Sequence, residues 1–370
     1  PGALLPMSPD QLTALLNTAL TEYLAGKVPG ERVMELERLS GGANNETWRL
    51  TWGSTPLILR RRPFSADSID QLEGNILGLS LVDEAAVIQL ATSTSVPVPD
   101  IHAIFDASHP IGEAFLMGFI PGESIPQKWL LDDAYEVARS RLSLQCGEAL
   151  ARKHNIDCSL LPANIGPTKL GKRFVAAQKR LHAFGDISPV MQFGLNWLID
   201  HAPTDAPCVL LHGDFRTGNL LVDEQGLAGV LDWELTHQGP AEEDLGYLCA
   251  NVWRFGHLQN PVGGFGNYAD LIAGYASTAG WTPELSIIRY WEIFAALSWG
   301  LVCQTMGALW HSGSGDVERA VSVVMDAGVD TLESIYPPDA KRALQFPDES
   351  GAPPPDDDGG GVAAGATPGH

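Results

Sequence analysis

The sequence predicts an α+β chain in two lobes, a small antiparallel-sheet lobe followed by a larger, mainly helical one. Three observations lead there. From Val33 to Ile120 short apolar and β-branched runs alternate with Gly- and Pro-marked turns. Pro121-Gly122 breaks that texture. Beyond it, long amphipathic runs dominate, interrupted by one hairpin around "LLHGDFRTGNLLVD". With 370 residues and 45% hydrophobic content, the chain can fill one large or two modest cores.

The elements follow in order. Ser8-Pro9-Asp10-Gln11 combines a capping serine, proline at the first helical position and glutamine three residues after the cap. Leu12, Leu15, Leu16, Ala19, Leu20, Tyr23 and Leu24 then recur at helical spacing, and Ala25-Gly26 ends the helix. The residues before Met7 read as an added or processed leader, so residues 1–29 are taken as that leader plus one helix. The first lobe is expected over residues 30–121. "RVMELERLSGGANNETWRLTW" reads as strand, Gly-rich turn, strand, and "STPLILRRRP" as a third strand stopped by Pro63. "LVDEAAVIQLATST" reads as a helix with Leu81, Ala85 and Ile88 on one stripe, and "IHAIF" and "EAFLMGFI" as two more strands. The second lobe is expected over residues 122–337, joined to the first near Met117 to Glu123. It holds helices in "DDAYEVARSRLSLQCGEALARKHN", "GLNWLIDHAP" and "PELSIIRYWEIFAALSWGLVCQTMGALW". The hairpin is "NLLV", a turn at Asp223 to Gly226, then "LAGVLDW". Residues 338–370 run into Pro, Gly, Ala and Asp and are expected to be disordered.

Bulk properties exclude several classes. A net charge of −22 disfavours nucleic acid, whose phosphates need a basic surface. No apolar run reaches the about 18 residues of a spanning helix. No basic and apolar leader pair marks a secretory signal. The five cysteines show no C-x-x-C spacing and read as reduced, mostly buried thiols, which makes a cytoplasmic location the expectation. The histidines lack the H-E-x-x-H spacing of a zinc helix.

The chemistry concentrates in the hairpin. His-Gly-Asp, four residues and Asn lead into a strand, and Asp232 follows the returning strand. Phosphoryl transfer needs this set. One carboxylate orients and deprotonates the attacking hydroxyl, while an amide oxygen and a second carboxylate hold Mg²⁺ against nucleotide phosphates. Protein kinases show the same order, with Asn five residues after the catalytic Asp. Here Asn219 follows Asp214 by five positions. Taken singly, Asp214 reads equally as a turn acid and Asn219 as a cap.

On "LHGDFRTGNLLVD" and "GVLDWELTHQGPAEEDLGYLC" the chain resembles the aminoglycoside phosphotransferase family of kinase-like small-molecule kinases. Its "DWE", "CANVWRFG" and "YWEIFAALSWG" segments are most similar to the branch that includes kinase domains fused to acyl-CoA dehydrogenases. The resemblance implies a bilobal protein-kinase-like fold with ATP and Mg²⁺ between the lobes. It implies Asp214 as catalytic base, and Asn219 and Asp232 as metal ligands. It further implies His212 as support for the loop, Asp244 as its brace, and Arg216 as a contact to phosphate or substrate. In the first lobe it implies a phosphate hairpin in "SGGANNET", with Gly41 and Gly42 at close approach and Asn44, Asn45 and Thr47 as donors. Without the second lobe this would read as an ordinary turn. Kinases usually carry Lys on the third strand; here Arg60 is the candidate, paired with Glu84 from the next helix rather than with Asp83. Met117 and Phe119, at the lobe junction, are expected to border the nucleotide.

Other residues carry two readings. Asp223 reads as a ligand of the loop motif or, before Gln225-Gly226, as a turn acid. Glu234 reads as a metal or substrate contact, or as a structural acid. His237 reads as structural or as catalytic. Trp253 and Arg254 read as acceptor-pocket residues or as core. The aromatics of the last helix read as packing or as an apolar substrate wall. The expected partner is a small-molecule hydroxyl acceptor, either a metabolic hydroxy compound such as a hydroxyacyl-CoA or an aminoglycoside. No nucleic-acid or membrane partner is expected, and the oligomeric state stays open. The rivals are a non-catalytic nucleotide-binding pseudokinase and a protein kinase. Against the latter, Asp244 follows Asp232 by only twelve positions, too few for an activation and peptide-docking segment.

Overall fold

Helix α1 (Pro9–Ala25) begins on the capping box that its sequence spells. The Gln11 amide donates to Ser8 Oγ at 3.3 Å and the Ser8 amide to Gln11 Oε1 at 2.9 Å. The computed structural model describes residues 8–26, 33–39, 45–63, 78–183, 188–203 and 206–311, with side chains through residue 305. The leader, Gly41, Gly42, Asn44 and the 338–370 tail lie outside the described residues.

Strands β1 (Val33–Leu39), β2 (Glu46–Trp52) and β3 (Thr55–Arg61) precede helix α2 (Leu81–Thr92); β4 (Ile101–Phe105) and β5 (Ala114–Gly118) follow it. They form one antiparallel sheet in the order β1-β2-β3-β5-β4. Side chains alternate across such a sheet, so its two faces meet different helices. Trp48, Leu50, Leu57, Leu59 and Leu116 form one core with Leu16, Leu20 and Leu24 of α1. Phe115 and Met117 face the other way and pack with Leu81, Ala85 and Ile88 of α2. The same alternation sends neighbouring arginines to opposite faces. Arg61 is buried against Glu46 on the α1 side, and Arg60 points to α2.

The chain leaves the sheet through Pro121-Gly122 and is held there by backbone. The Glu123 amide donates to the Val222 carbonyl at 2.8 Å, and the Val222 amide returns a bond at 3.1 Å. The second lobe contains α3 (Pro126–Leu131), α4 (Glu136–His154), α5 (Leu170–His182), α6 (Pro189–Asp200), β6 (Cys208–Leu211), β7 (Leu220–Asp223), β8 (Gly226–Val230), β9 (His237–Pro240), α7 (Glu242–Cys249), α8 (Tyr268–Ala279) and α9 (Leu285–His311). β6 pairs with β9 and β7 with β8, both antiparallel. α4 and α8 cross closely on glycine. A Cβ on Gly147 would lie 2.2 Å from the Leu271 carbonyl oxygen, and one on Gly274 2.0 Å from that of Leu144.

Three differences from the sequence reading have local causes. α4 starts at Glu136 rather than Asp132, because the Asp132 side chain caps a short 3₁₀ turn first. β9 is four residues, His-Gln-Gly-Pro, with no apolar alternation to announce it. α9 is apolar and long enough to cross a membrane by length and composition alone. Here its Ile288, Tyr290, Trp291, Phe294 and Leu297 are buried inside the protein. All five cysteines are free thiols, but only Cys146 and Cys249 are buried, and Cys208 at the start of β6 is exposed.

Candidate active site

The loop from His212 to Asn219 connects β6 to β7, and Asp232 lies just after β8. Backbone and imidazole bonds pull these two ends together. The Leu231 amide donates to the Asn219 carbonyl at 2.9 Å. His212 Nδ1 accepts from the Asp214 amide at 3.2 Å, so Nε2 carries the proton and donates to the Leu231 carbonyl at 3.1 Å. Burial pushes this imidazole down to about 4, which keeps it neutral. His212 thus ties Asp214 to the residue before Asp232. Gly213 has φ +80°, and a Cβ there would lie 2.2 Å from the Leu235 carbonyl oxygen, so the turn requires glycine. Asp232 itself adopts φ 67°, uncommon for a residue with a side chain.

Asp214 is nearly buried and surrounded by donors. Arg216 Nε reaches both carboxylate oxygens at 3.1 Å. Tyr247 donates its hydroxyl to Oδ1 at 2.8 Å. Asn219 Nδ2 donates to Oδ2 at 2.6 Å and to the Asp214 carbonyl at 2.9 Å. Burial raises this carboxyl above its ordinary value; Arg216, Tyr247 and Asn219 oppose the rise, and Asp232 adds to it. A fixed carboxylate with its basicity raised is suited to accept a proton.

Beneath the loop, Asp244 at the start of α7 is fully buried. It accepts from the amides of His212 at 2.8 Å and Gly213 at 3.0 Å, and ion-pairs with Lys153 of α4. His154 Nε2 lies 3.3 Å away, and its Nδ1 faces the Tyr275 hydroxyl at 2.9 Å. Burial alone would raise the Asp244 carboxyl; Lys153 and His154 overcome it, and the group stays well below the ordinary carboxylate range. The loop backbone is therefore pinned to a buried charge pair.

The first lobe contributes Arg60. Its Nε lies 3.3 Å from Glu84 Oε2, and its Nη2 lies 2.6 Å from Asp232 and 2.8 Å from Glu234. Glu84 also accepts from the Trp233 amide at 3.3 Å, and burial pushes its carboxyl up to about 8. Asp83 is used otherwise: it caps α2 with Ser80 and accepts from Asn164. Glu234 accepts from Asn45 at 3.1 Å as well, which links the hairpin end to Arg60. Thr47 lies in β2 directly opposite Arg60. Met117 pairs with Ile58 in β5, and the Phe119 ring is covered by Arg49, whose Cζ is 4.9 Å from its centroid.

Elsewhere the structure spends residues on packing. Arg254 is not an open cation, since its Nη2 pairs with Glu292 at 2.7 Å and Tyr268 donates to the same carboxylate at 2.6 Å. Asp223 accepts from the amides of Gln225 and Gly226, as a turn acid does. His237 contacts Glu243, which Arg173 also holds. Trp253 adjoins the loop: Thr217 Oγ1 donates to its carbonyl at 2.9 Å, and Arg216 Cζ lies 5.0 Å from its ring centroid. The sequence reading missed Tyr247, Lys153 and His154. Tyr247 is one helical turn after Asp244, a spacing that puts both on one face of α7. Lys153 and His154 lie in the last turn of α4, where basic residues are ordinary and give no signal of a buried partner.

The donor set suits a divalent cation carried with a nucleotide. Among the described residues, Asp214, Asp232, Glu234 and Glu84 converge on two cations, Arg60 and Arg216. Asn219 uses its Nδ2 on Asp214, which leaves Oδ1 for another partner. Among the described residues no cluster of three or more His, Cys, Asp or Glu forms a closed metal cage. One carboxylate plus one amide oxygen, completed by phosphates and water, is the pattern Mg²⁺ accepts.

The model of the phosphotransferase enzyme family matches residues 35–281. Mouse acyl-CoA dehydrogenase family member 10 is 27% identical over 251 residues, covering 64% of this chain and 22% of that protein. The probable acyl-CoA dehydrogenase IBR3 of Arabidopsis thaliana is 26% identical over 264 residues, covering 62% of this chain and 30% of that one. The chain thus spans under a third of these two relatives. The 4-hydroxytryptamine kinase of Psilocybe cyanescens is 24% identical over 293 residues, covering 70% of this chain and 77% of that one. Among solved structures, a putative aminoglycoside phosphotransferase from Ralstonia eutropha superposes with TM-score 0.67 at 19% identity, covering 86% of this chain and 96% of the other. The GDP complex of aminoglycoside 2'-phosphotransferase-IIIa superposes with TM-score 0.59 at 15% identity, covering 86% and 99%. These structures share the kinase-like fold.

Proposed function

Since the chain belongs to the phosphotransferase enzyme family, we propose that it transfers the terminal phosphoryl group of ATP to the hydroxyl of a small molecule. The observation that carries this reading is Asp214. It is a nearly buried carboxylate with three donors fixing its direction, one loop away from Asn219 and Asp232. In this reading Asp214 accepts the hydroxyl proton as the oxygen attacks. Arg216 and Tyr247 hold its orientation and stabilise its charge. Asn219 and Asp232 hold Mg²⁺, which neutralises phosphate charge when bound. Arg60, held by Glu84, grips the phosphates, with Asn45 and Thr47 at the hairpin above. His212 and Asp244 keep the loop in register and touch no reactant. Catalysis is then positioning and charge stabilisation.

For the acceptor, the two relatives named as acyl-CoA dehydrogenases favour a metabolic hydroxy compound such as a hydroxyacyl thioester; the fold neighbours favour an aminoglycoside. The pairing of Arg254 with Glu292 leaves Arg216 as the cation beside Asp214, which argues for an acceptor recognised by its body rather than by a CoA phosphate. The test is a Mg-ATP screen of the full chain against hydroxyacyl-CoAs, aminoglycosides and amino alcohols, with phosphorylated product read by mass. Asp214→Ala should lose several orders of magnitude in turnover at unchanged ATP affinity. Wild-type turnover in that variant would overturn the assignment.

A further inference from the structure

The face beside Asp214 is aromatic, and three rings share it. Tyr247 bonds Asp214 directly and packs on Trp253, ring centroids 5.6 Å apart. Trp253 packs edge-on against Trp299 of α9 at 4.9 Å. Trp253 is fixed by the catalytic loop itself, since Thr217 Oγ1 bonds both its carbonyl and that of Gly263. It is only 4% exposed, yet its indole Nε1 has no hydrogen-bond partner among the described residues, and neither has that of Trp299. A buried indole N–H without an acceptor keeps the full cost of leaving water. Two such donors in one cluster point to an oxygen that is not part of the described chain.

The charges around the cluster set the sign of the molecule. Three acids on the elements that carry these rings are already held by cations. Glu243 is held by Arg173, Asp244 by Lys153, and Glu292 by Arg254. Nearer the base, the Arg216 guanidinium lies over the Trp253 ring. A polycation arriving here would meet the Arg216 cation, with Glu243, Asp244 and Glu292 already paired. An apolar ring or chain would meet rings, and a carbonyl or carboxylate oxygen would meet indole N–H donors.

We propose that Tyr247, Trp253 and Trp299 form the acceptor wall, and that the acceptor is an apolar hydroxy compound bearing a carbonyl or carboxylate oxygen. The proposal rests on Asp214 being the base that faces the acceptor. It assigns Trp253 as a specificity-determining residue through its ring and its N–H.

The test uses the full chain with Mg-ADP and calorimetric titration of three probes: 4-hydroxyphenylacetate, 3-hydroxyhexanoate and gentamicin. At least one apolar probe should bind, and gentamicin should not. Trp253→Phe keeps a ring and loses the N–H, so it should weaken that probe about tenfold with Mg-ADP affinity unmoved. Trp299→Phe should act in the same direction. Gentamicin binding that Trp253→Phe leaves unchanged overturns the proposal, as does failure of both apolar probes to bind the wild-type chain. The base assignment fails separately, if Asp214→Asn keeps wild-type phosphoryl transfer. Should the phenylalanine variants unfold, a circular-dichroism check identifies it, and Trp253→Tyr and Trp299→Tyr, which replace the indole N–H by a phenolic hydroxyl, take their place with the same criterion.

Discussion

Arg60 Nη2 lies 2.6 Å from Asp232 Oδ1, and this contact joins the third strand of the sheet lobe to the end of the hairpin in the helical lobe. The same guanidinium touches Glu84 and Glu234, so one cation balances three carboxylates.

Removing that cation leaves Glu84 buried without its cationic partner. Arg60→Ala should lower the unfolding free energy by about 3 kcal/mol, and Arg60→Ala with Glu84→Ala should recover part of it. Urea denaturation of the two variants and the wild type checks this. An unchanged midpoint in Arg60→Ala would show that the contact contributes nothing.

Asp232 supplies the proposed metal carboxylate. Asp232→Asn should raise the Mg²⁺ concentration for half-maximal turnover by about tenfold or more, and Asn219→Ala should act in the same direction. Mg²⁺ titration of the phosphoryl-transfer rate reads the effect. Equal Mg²⁺ dependence in wild type and Asp232→Asn would move the metal elsewhere.

Asp244 and Lys153 form a buried pair beneath the loop. Asp244→Asn leaves the Lys153 charge without its counter-ion and should cost about 3–5 kcal/mol of stability. Lys153→Met with Asp244→Asn should cost less than the two single changes added together. Thermal unfolding of all three variants closes the cycle. Additive losses would mean that the two groups do not interact.

Two buried histidines set an acid limit. Burial lowers the His212 and His154 imidazoles from about 6.5 to about 4 in the folded chain. Above pH 6.5 both are neutral in the folded and unfolded states, and their full contribution is present. As pH falls toward 4, the unfolded chain takes up protons that the folded chain refuses. Stability should therefore fall by about 1.4 kcal/mol per pH unit per histidine across that window. Denaturation midpoints from pH 7.5 to 4 measure it, and His154→Gln should reduce the slope. A flat profile there would contradict neutral burial.

Much of the candidate site could be read from short-range pattern. Asp214, Asn219 and Asp232 stand at spacings dictated by one loop and one hairpin, and the structure gathers them between β6 and α7. Glu84 was legible because it borders a buried helical stripe, where a carboxylate needs a cation. Arg60 was legible only by its strand, since its two arginine neighbours have the same composition. Strand alternation separates Arg60 from Arg61, turning Arg60 to Glu84 and Asp232 and Arg61 to Glu46, while Arg62, past the end of β3, pairs with Glu113. Arg254 shows the opposite case. It reads as an open cation until α9 folds back and presents Glu292.

By itself the sequence determined most strands and helices and the loop that carries the proposed chemistry. Those follow from periodicities of two and 3.6, from capping and turn residues, and from contacts within a few residues. The tertiary structure alone decided which charges are partnered. Lys153 meets Asp244 from 91 residues away, and Arg60 meets Asp232 from 172. Tyr247 became a partner of Asp214 in the same way, across 33 residues. Buried charges and hydroxyls are selected by what faces them across the core, and no local pattern encodes that.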